Sequence, residues 1–293
     1  LVHLYVFTNI IPNSDGLSRI FDPQQMTVSG RWFLHFASYF NGFTQMPAVI
    51  GLFSVLFLAL AAALAVSLLG IRSRALSALS GALMAAFPAV GYTFLYLFTA
   101  SAYCFAIFLA VLSVSLARRG RWHWLAGCLL LACSMGTYQA YVTVAIGLSL
   151  LVIFRETLDP SASFSATLRL GVRLMLFLAA GAVLYYGILL VFLQVKDLEL
   201  LSYLGMDAAS SGYPFSRLPG LLLDTYKQVA AFFFLPGSAN TFTSGWMAVL
   251  DLAALALGGG CFLLCMGQEG LWRARWRPLG GLAMLALLPL GIN

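Results

Sequence analysis

The chain has 293 residues, of which 61% are hydrophobic and only 9% charged, and its mean hydropathy is +0.93. A soluble domain carries about a quarter charged residues, so this composition excludes a water-soluble globule and implies an all-α, polytopic membrane protein. The net charge of +6 falls in short basic clusters between apolar runs, a topology signal rather than a nucleic-acid-binding face.

A spanning helix needs about 20 apolar residues. Residues 1–11 read as the tail of a first spanning helix and not as a signal peptide, since no basic leader or cleavage site accompanies them. The chain opens inside one apolar stretch without Met and stops inside another. We therefore expect a single transmembrane domain over residues 1–293, part of a longer protein, with its first and last helices incomplete. After the first apolar stretch comes a polar window holding Asn13, Ser14, Asp15, Gly16, Arg19 and Asp22. Ser29-Gly30-Arg31-Trp32 follows and is expected to open a half-apolar helix containing Phe33, Leu34, Phe36, Tyr39 and Phe40.

The next run, 47–69, is a span ended by Arg72 and Arg74. Residues 75–116 are too long for one span and too short for three, and read as two, 75–97 and 100–116, with Pro88 a tolerated kink. Arg118, Arg119 and Arg121 close them. The run 122–154 reads as a hairpin of two short crossings with its tip at Gly136-Thr137-Tyr138-Gln139. One crossing would put Arg118–Arg121 and Arg155 on opposite faces, which the positive-inside rule disfavours. Crossings this short leave a re-entrant hairpin open as an alternative. Residues 171–193 cross outward, 194–243 form a long outer segment, 244–266 return, and the chain turns outward again from Leu279. Within the outer segment, 218–236 mixes Leu221, Leu222, Leu223 and Phe232, Phe233, Phe234 with Asp224, Lys227 and Gln228. It is expected to be an interfacial or re-entrant amphipathic helix.

This map places Arg72, Arg74, Arg118, Arg119, Arg121, Arg155, Arg169, Arg173, Arg273, Arg275 and Arg277 inside. Arg19, Arg31, Lys196, Arg217 and Lys227 fall outside, and the two groups exhaust the 16 basic residues. The bias is the expected one and sets the Asp15 and Arg31 loop on the extracytoplasmic side.

Charged groups near hydrocarbon are costly unless paired or functional. Asp15 sits at the water boundary after a spanning stretch, beside Arg19, Asp22 and Arg31. Asn, Ser, Asp and Gly also make an ordinary turn. A partly buried carboxylate, however, is a competent general base for a sugar hydroxyl, and guanidinium makes paired hydrogen bonds to phosphate at any working pH. Trp32 and its aromatic neighbours suit headgroup depth, while Gly30 would let a ligand approach the backbone. Tyr138-Gln139 is a polar pair amid apolar residues, suited to ligand contact or to helix–helix hydrogen bonding. Asp251, within an apolar helix, is a further candidate; Lys196, Arg217 and Lys227 can grip phosphate or snorkel. His3, His35 and His123 are isolated and read as structural. Cys104, Cys128, Cys133, Cys261 and Cys265 lie in apolar runs and read as buried small hydrophobes, with no disulfide framework. Asp15 and Asp22 lack an evident third ligand, so no metal or other cofactor is expected.

At these residues the chain resembles the type II glucosyltransferase family. The resemblance rests on Asn13-x-Asp15 after a first membrane helix, Ser29-Gly30-Arg31-Trp32, Pro47 opening the next helix, and Tyr138-Gln139 in a short hairpin. Where some relatives carry paired aspartates, this chain has Ser14-Asp15, leaving one carboxylate to act alone. The resemblance implies a GT-C-like helical bundle with its site in the first extracytoplasmic loop, and a polyprenyl-phosphate-linked sugar donor. It implies a multi-pass enzyme of a bacterial inner membrane that modifies O-antigen or a related surface glycan. The expected activity is inverting transfer of a hexose, glucose by the resemblance, to a glycan acceptor. Asp15 is the expected base, and Arg19, Asp22, Arg31, Trp32, Tyr138, Gln139 and Lys227 bind substrate or phosphate. The alternative is a transporter or flippase of lipid-linked sugars, which would place its charged site at mid-membrane and show repeat symmetry. Neither feature is visible here. A structural subunit of a glycan-assembly complex is the third option.

Overall fold

A computed structural model describes residues 3–10, 23–41, 46–201, 215–235, 244–268 and 270–292. Among the described residues 86% are helical and none is in a strand. Five helices among these residues are long and apolar enough to cross a membrane. With no water in a bilayer to satisfy backbone groups, this is the form such a composition must take, and the chain is an all-α polytopic membrane protein.

The helices, in order, are α1 (Leu4–Thr8), α2 (Pro23–Val28), α3 (Leu34–Ala37), α4 (Pro47–Leu69), α5 (Arg74–Ala86), α6 (Pro88–Leu95), α7 (Leu97–Ala117) and α8 (Arg121–Thr137). They continue with α9 (Val142–Leu158), α10 (Phe164–Lys196), α11 (Leu218–Phe234), α12 (Gly245–Gln268) and α13 (Trp276–Ile292). Local chemistry sets several of the ends. Pro47 stands in the first turn of α4, where its missing N–H costs nothing. The Ser73 side chain accepts from Leu76 N at the start of α5. Phe87 is extended, as the residue before Pro88 prefers.

The long helices follow the expected spans, with three differences. The run 75–97 breaks outright at Phe87, and its two helices bend by 44°. Proline removes an amide donor and crowds the preceding turn. Residues 171–193 are the middle of a 33-residue helix, α10, which at about 1.5 Å per residue exceeds a bilayer core. Ser29–Trp32 does not open a helix: it is the turn between α2 and α3.

The chain divides into two compact units, Leu1–Ser149 with Val172–Asp207, and Leu150–Gly171 with Ala208–Asn293. In the first, α7 is the central helix. Its inward positions are mostly small (Ala100, Ala102, Ala106, Ala110, Ser113 and Ala117 are all buried), so neighbouring backbones approach closely. Phe57 and Leu58 of α4, Phe94 of α6 and Leu97 and Cys104 of α7 share one apolar cluster. Met26, Leu34, Ala37 and Ala102 form another, which seats α2 and α3 against α7. At the far end of α7, Arg173 donates through Nε to Ala117 O at 2.7 Å and through Nη2 to Arg119 O. A cation on the last carbonyls of a helix suits both their lone pairs and the helix dipole.

In the second unit, Phe154 and Leu158 pack on Phe262, Met266 and Leu271. Arg277 is buried and donates to the carbonyls of Thr157, Asp159, Pro160 and Ala162, at 2.5–3.3 Å, while its guanidinium lies over the Trp276 ring. Arg277 thus ties down the loop joining α9 to α10. Cys104 and Cys128 are buried, Cys133 is half-buried, and Cys261 and Cys265 are exposed on α12. The expectation that all five are buried fails for the last pair, because most of α12's apolar surface is not covered within the unit.

Candidate functional site

The Ser29-Gly30-Arg31-Trp32 turn is built by the end of α2. Gly30 N–H donates to Thr27 O at 2.9 Å and Arg31 N–H to Met26 O at 2.8 Å. This is the paired pattern that closes a helix with a left-handed residue, and Gly30 is that residue, at φ 79°. Its role is therefore conformational: a side chain there would strain the turn.

Two carbonyls of the turn are taken by side chains distant in sequence. Gln139 Nε2 donates to Ser29 O at 2.8 Å, and the Tyr185 hydroxyl donates to Gly30 O at 3.0 Å. Phe33 N–H donates to Gly136 O at 2.7 Å. A Cβ on Gly136 would lie 2.6 Å from Trp32 Cε2, so the hairpin tip and the turn touch through a position only glycine fits. Trp32 is 6% exposed and stacks on Phe192 of α10, centroids 5.7 Å apart and planes 17° apart. From the same helix, Lys196 Nζ reaches Thr27 Oγ1 at 3.5 Å, and beyond it Leu201 N–H donates to Val28 O at 3.0 Å.

Arg31 projects from this turn onto tyrosines. Its Cζ lies 4.8 Å from the Tyr138 ring centroid, and Nη1 donates to the Tyr103 hydroxyl at 3.4 Å. Tyr103, Tyr138 and Tyr141 form an aromatic group with centroids 5.3–6.0 Å apart. Among the described residues no carboxylate pairs with Arg31, whereas Arg155 meets Glu156 and Lys227 meets Asp224. Arg31 Nε and Trp32 Nε1 are buried, and neither has a hydrogen-bond partner among the described residues. Buried donors are ordinarily satisfied, and an indole N–H left dry costs free energy. The geometry is that of a cation fixed on an aromatic bed with donors left over for an acceptor.

A family model, described as glucosyl transferase GtrII, matches residues 4–291. The chain belongs to that family. Membership implies glucosyltransferase activity, hence a sugar donor and an acceptor. No curated protein and no solved structure matches the chain.

In this GtrII family member the structure brings together Arg31, Trp32, Tyr138 and Gln139, although the donor Gln139 and its acceptor Ser29 stand 110 positions apart. Gln139 serves the turn through one of its two amide N–H groups, which donates to Ser29 O. Asp15, Arg19 and Asp22 lie outside the described residues. Lys227 belongs to the second unit, where it pairs with Asp224 at 3.4 Å, both side chains more than half exposed. Asp251 is half-buried on α12 and Arg217 is exposed. His3 Nε2 lies 2.7 Å from Ala85 O and its ring packs on Phe94, as a structural histidine does. Sequence reasoning missed Tyr103, Tyr185, Phe192 and the contact made by Lys196. The signal for the tyrosines was faint: a hydroxyl inside an apolar run must find an acceptor, but the run does not say which.

Proposed function

We propose that this glucosyltransferase moves a hexose, glucose by its family, from a polyprenyl-phosphate donor to a glycan acceptor on the extracytoplasmic face of a bacterial inner membrane. The observation that supports this reading is the Arg31 guanidinium, which has no carboxylate partner among the described residues and is held over Tyr138 by a turn whose carbonyls are bound by Gln139 and Tyr185. A guanidinium held in this way suits a phosphate oxygen, and its charge persists at every working pH. Charge stabilisation by donors already in place is usually the largest single catalytic effect.

In the reaction we infer, Asp15 takes the proton of an acceptor hydroxyl. The hydroxyl oxygen attacks the anomeric carbon and forms the new glycosidic bond with inversion. The bond from that carbon to the phosphate oxygen breaks, and the lipid phosphate leaves with the electron pair toward Arg31. Arg19 and Asp22, from the same loop, complete the polar surround, and Trp32 and Tyr138 supply its apolar wall. The whole chain works as one GT-C-like transmembrane domain, with amphipathic α11 resting at the outer leaflet. Its substrates place it in surface-glycan modification of the O-antigen type. This logic requires no metal.

The test is Asp15→Asn in membranes carrying the full chain, assayed for transfer of labelled glucose from lipid carrier to glycan. Transfer should fall by at least about a thousandfold, within the range of a lost general base plus its electrostatic effect. Near-normal transfer by a well-expressed variant removes Asp15 from the reaction.

A further inference from the structure

The reading above uses one cation at the Arg31 turn, yet the fold delivers two. Lys196 is the last residue of α10, and Asp197 ends the helix with a left-handed backbone at φ 51°. Asp197 N–H donates to Gln194 O and Leu198 N–H to Leu193 O, so the helix stop is well defined. A lysine at a helix C-terminus is often there for the dipole alone, its head in water. Lys196 does something else. Its ammonium lies over the Phe192 ring, 5.7 Å from the centroid, and meets Thr27 on α2. Phe192 in turn stacks on Trp32.

We infer that Lys196 and Arg31 together hold the phosphate of the lipid-linked sugar. This rests on the proposed function and adds its second phosphate ligand. The physical basis is charge. Among the described residues neither cation has an ion-pair partner, and both are anchored to the short segment from Thr27 to Arg31. Two cations brought to one short segment of the fold make an anion welcome there. The buried Trp32 indole N–H, which lacks an acceptor among the described residues, offers that anion a neutral donor.

The shared chemistry is a phosphate ester, which can come from the lipid carrier or from a bilayer phospholipid. The experiment therefore uses the full chain in phosphatidylcholine nanodiscs with fluorescent geranylgeranyl phosphate as probe. Lys196→Met should weaken probe binding at least tenfold, Arg31→Met likewise, and Lys196→Arg should recover most of it. In the unaltered protein the probe should also slow acetylation of Lys196, read by mass spectrometry, a measurement that needs no variant to fold. Loss of binding in Arg31→Met with full binding in Lys196→Met overturns the inference and leaves the proposed function standing. Full binding in both variants overturns both. Absence of protection at Lys196 overturns the inference alone. Displacement of the probe by phosphatidylglycerol added to the discs assigns the site to a phospholipid headgroup and overturns it too.

Discussion

Arg31 and a lysine in its place carry the same charge, but only the guanidinium is a flat fork that can lie on Tyr138 and still present N–H groups. Arg31→Lys is expected to lower glucosyl transfer by about ten- to a hundredfold, the value of one or two charged hydrogen bonds, with expression unchanged on a blot of the membranes. A wild-type rate would mean that charge alone matters at this position. Asp159 is a separate case at the same scale. The Ser161 hydroxyl first, and the Ser161 N–H second, hold its carboxyl below the usual carboxylate value. A depressed pKa contributes stability above the unfolded value, near pH 4, and that contribution disappears as pH falls through the folded value. Ser161→Ala should move the Asp159 carboxyl titration upward, as read by carbon NMR of labelled protein; an unmoved titration would show that Ser161 is not the cause.

Among the elements, the hairpin tip and the α10 terminus allow opposite predictions. Gly136→Ala puts a methyl 2.6 Å from the Trp32 ring, so the ring must shift. Overpacking of this kind costs about 1–3 kcal/mol, visible as a lower melting temperature in detergent and as reduced transfer. Asp197→Gly removes the penalty of a side chain at φ 51° and should raise the melting temperature, a gain of up to about 1 kcal/mol. Arg277 ties four carbonyls of the α9–α10 loop. Arg277→Met leaves them unpaired, at about 1–3 kcal/mol for each group kept from water, and the loop should become sensitive to protease near Ser163. Unchanged protease resistance would show that the loop holds without the arginine.

For the whole molecule the decisive quantity is sidedness. In the first unit α7 and α8 are antiparallel neighbours through a short connection, so Arg118, Arg119 and Arg173 gather at one end. Arg31, Tyr138 and Lys196 gather at the other. The proposed sidedness follows the positive-inside rule, by which the richer basic end is expected to face the cytoplasm. In a cysteine-free background, Asn13→Cys should react with an impermeant maleimide on intact cells and Ser163→Cys only after lysis. The reverse pattern would put the Arg31 turn in the cytoplasm and end the extracytoplasmic assignment.

Apolar run lengths and basic clusters alone determined that the chain is a helical membrane protein, where most spans lie, and that 122–154 folds back near Tyr138. Those are consequences of bilayer thickness and of the cost of moving charge across it. The short motifs around Arg31 and Tyr138 were also legible as residue types, and the family match bears out the family they resembled. What the tertiary structure alone decided is which backbone carbonyls meet which side chains. Gln139 on Ser29, Tyr185 on Gly30 and Trp32 on Gly136 depend on helix contacts between residues far apart in the chain. Within a uniformly apolar helix every face looks alike in sequence, because lipid and protein interior reward the same side chains. Packing alone selects the face that reaches the site.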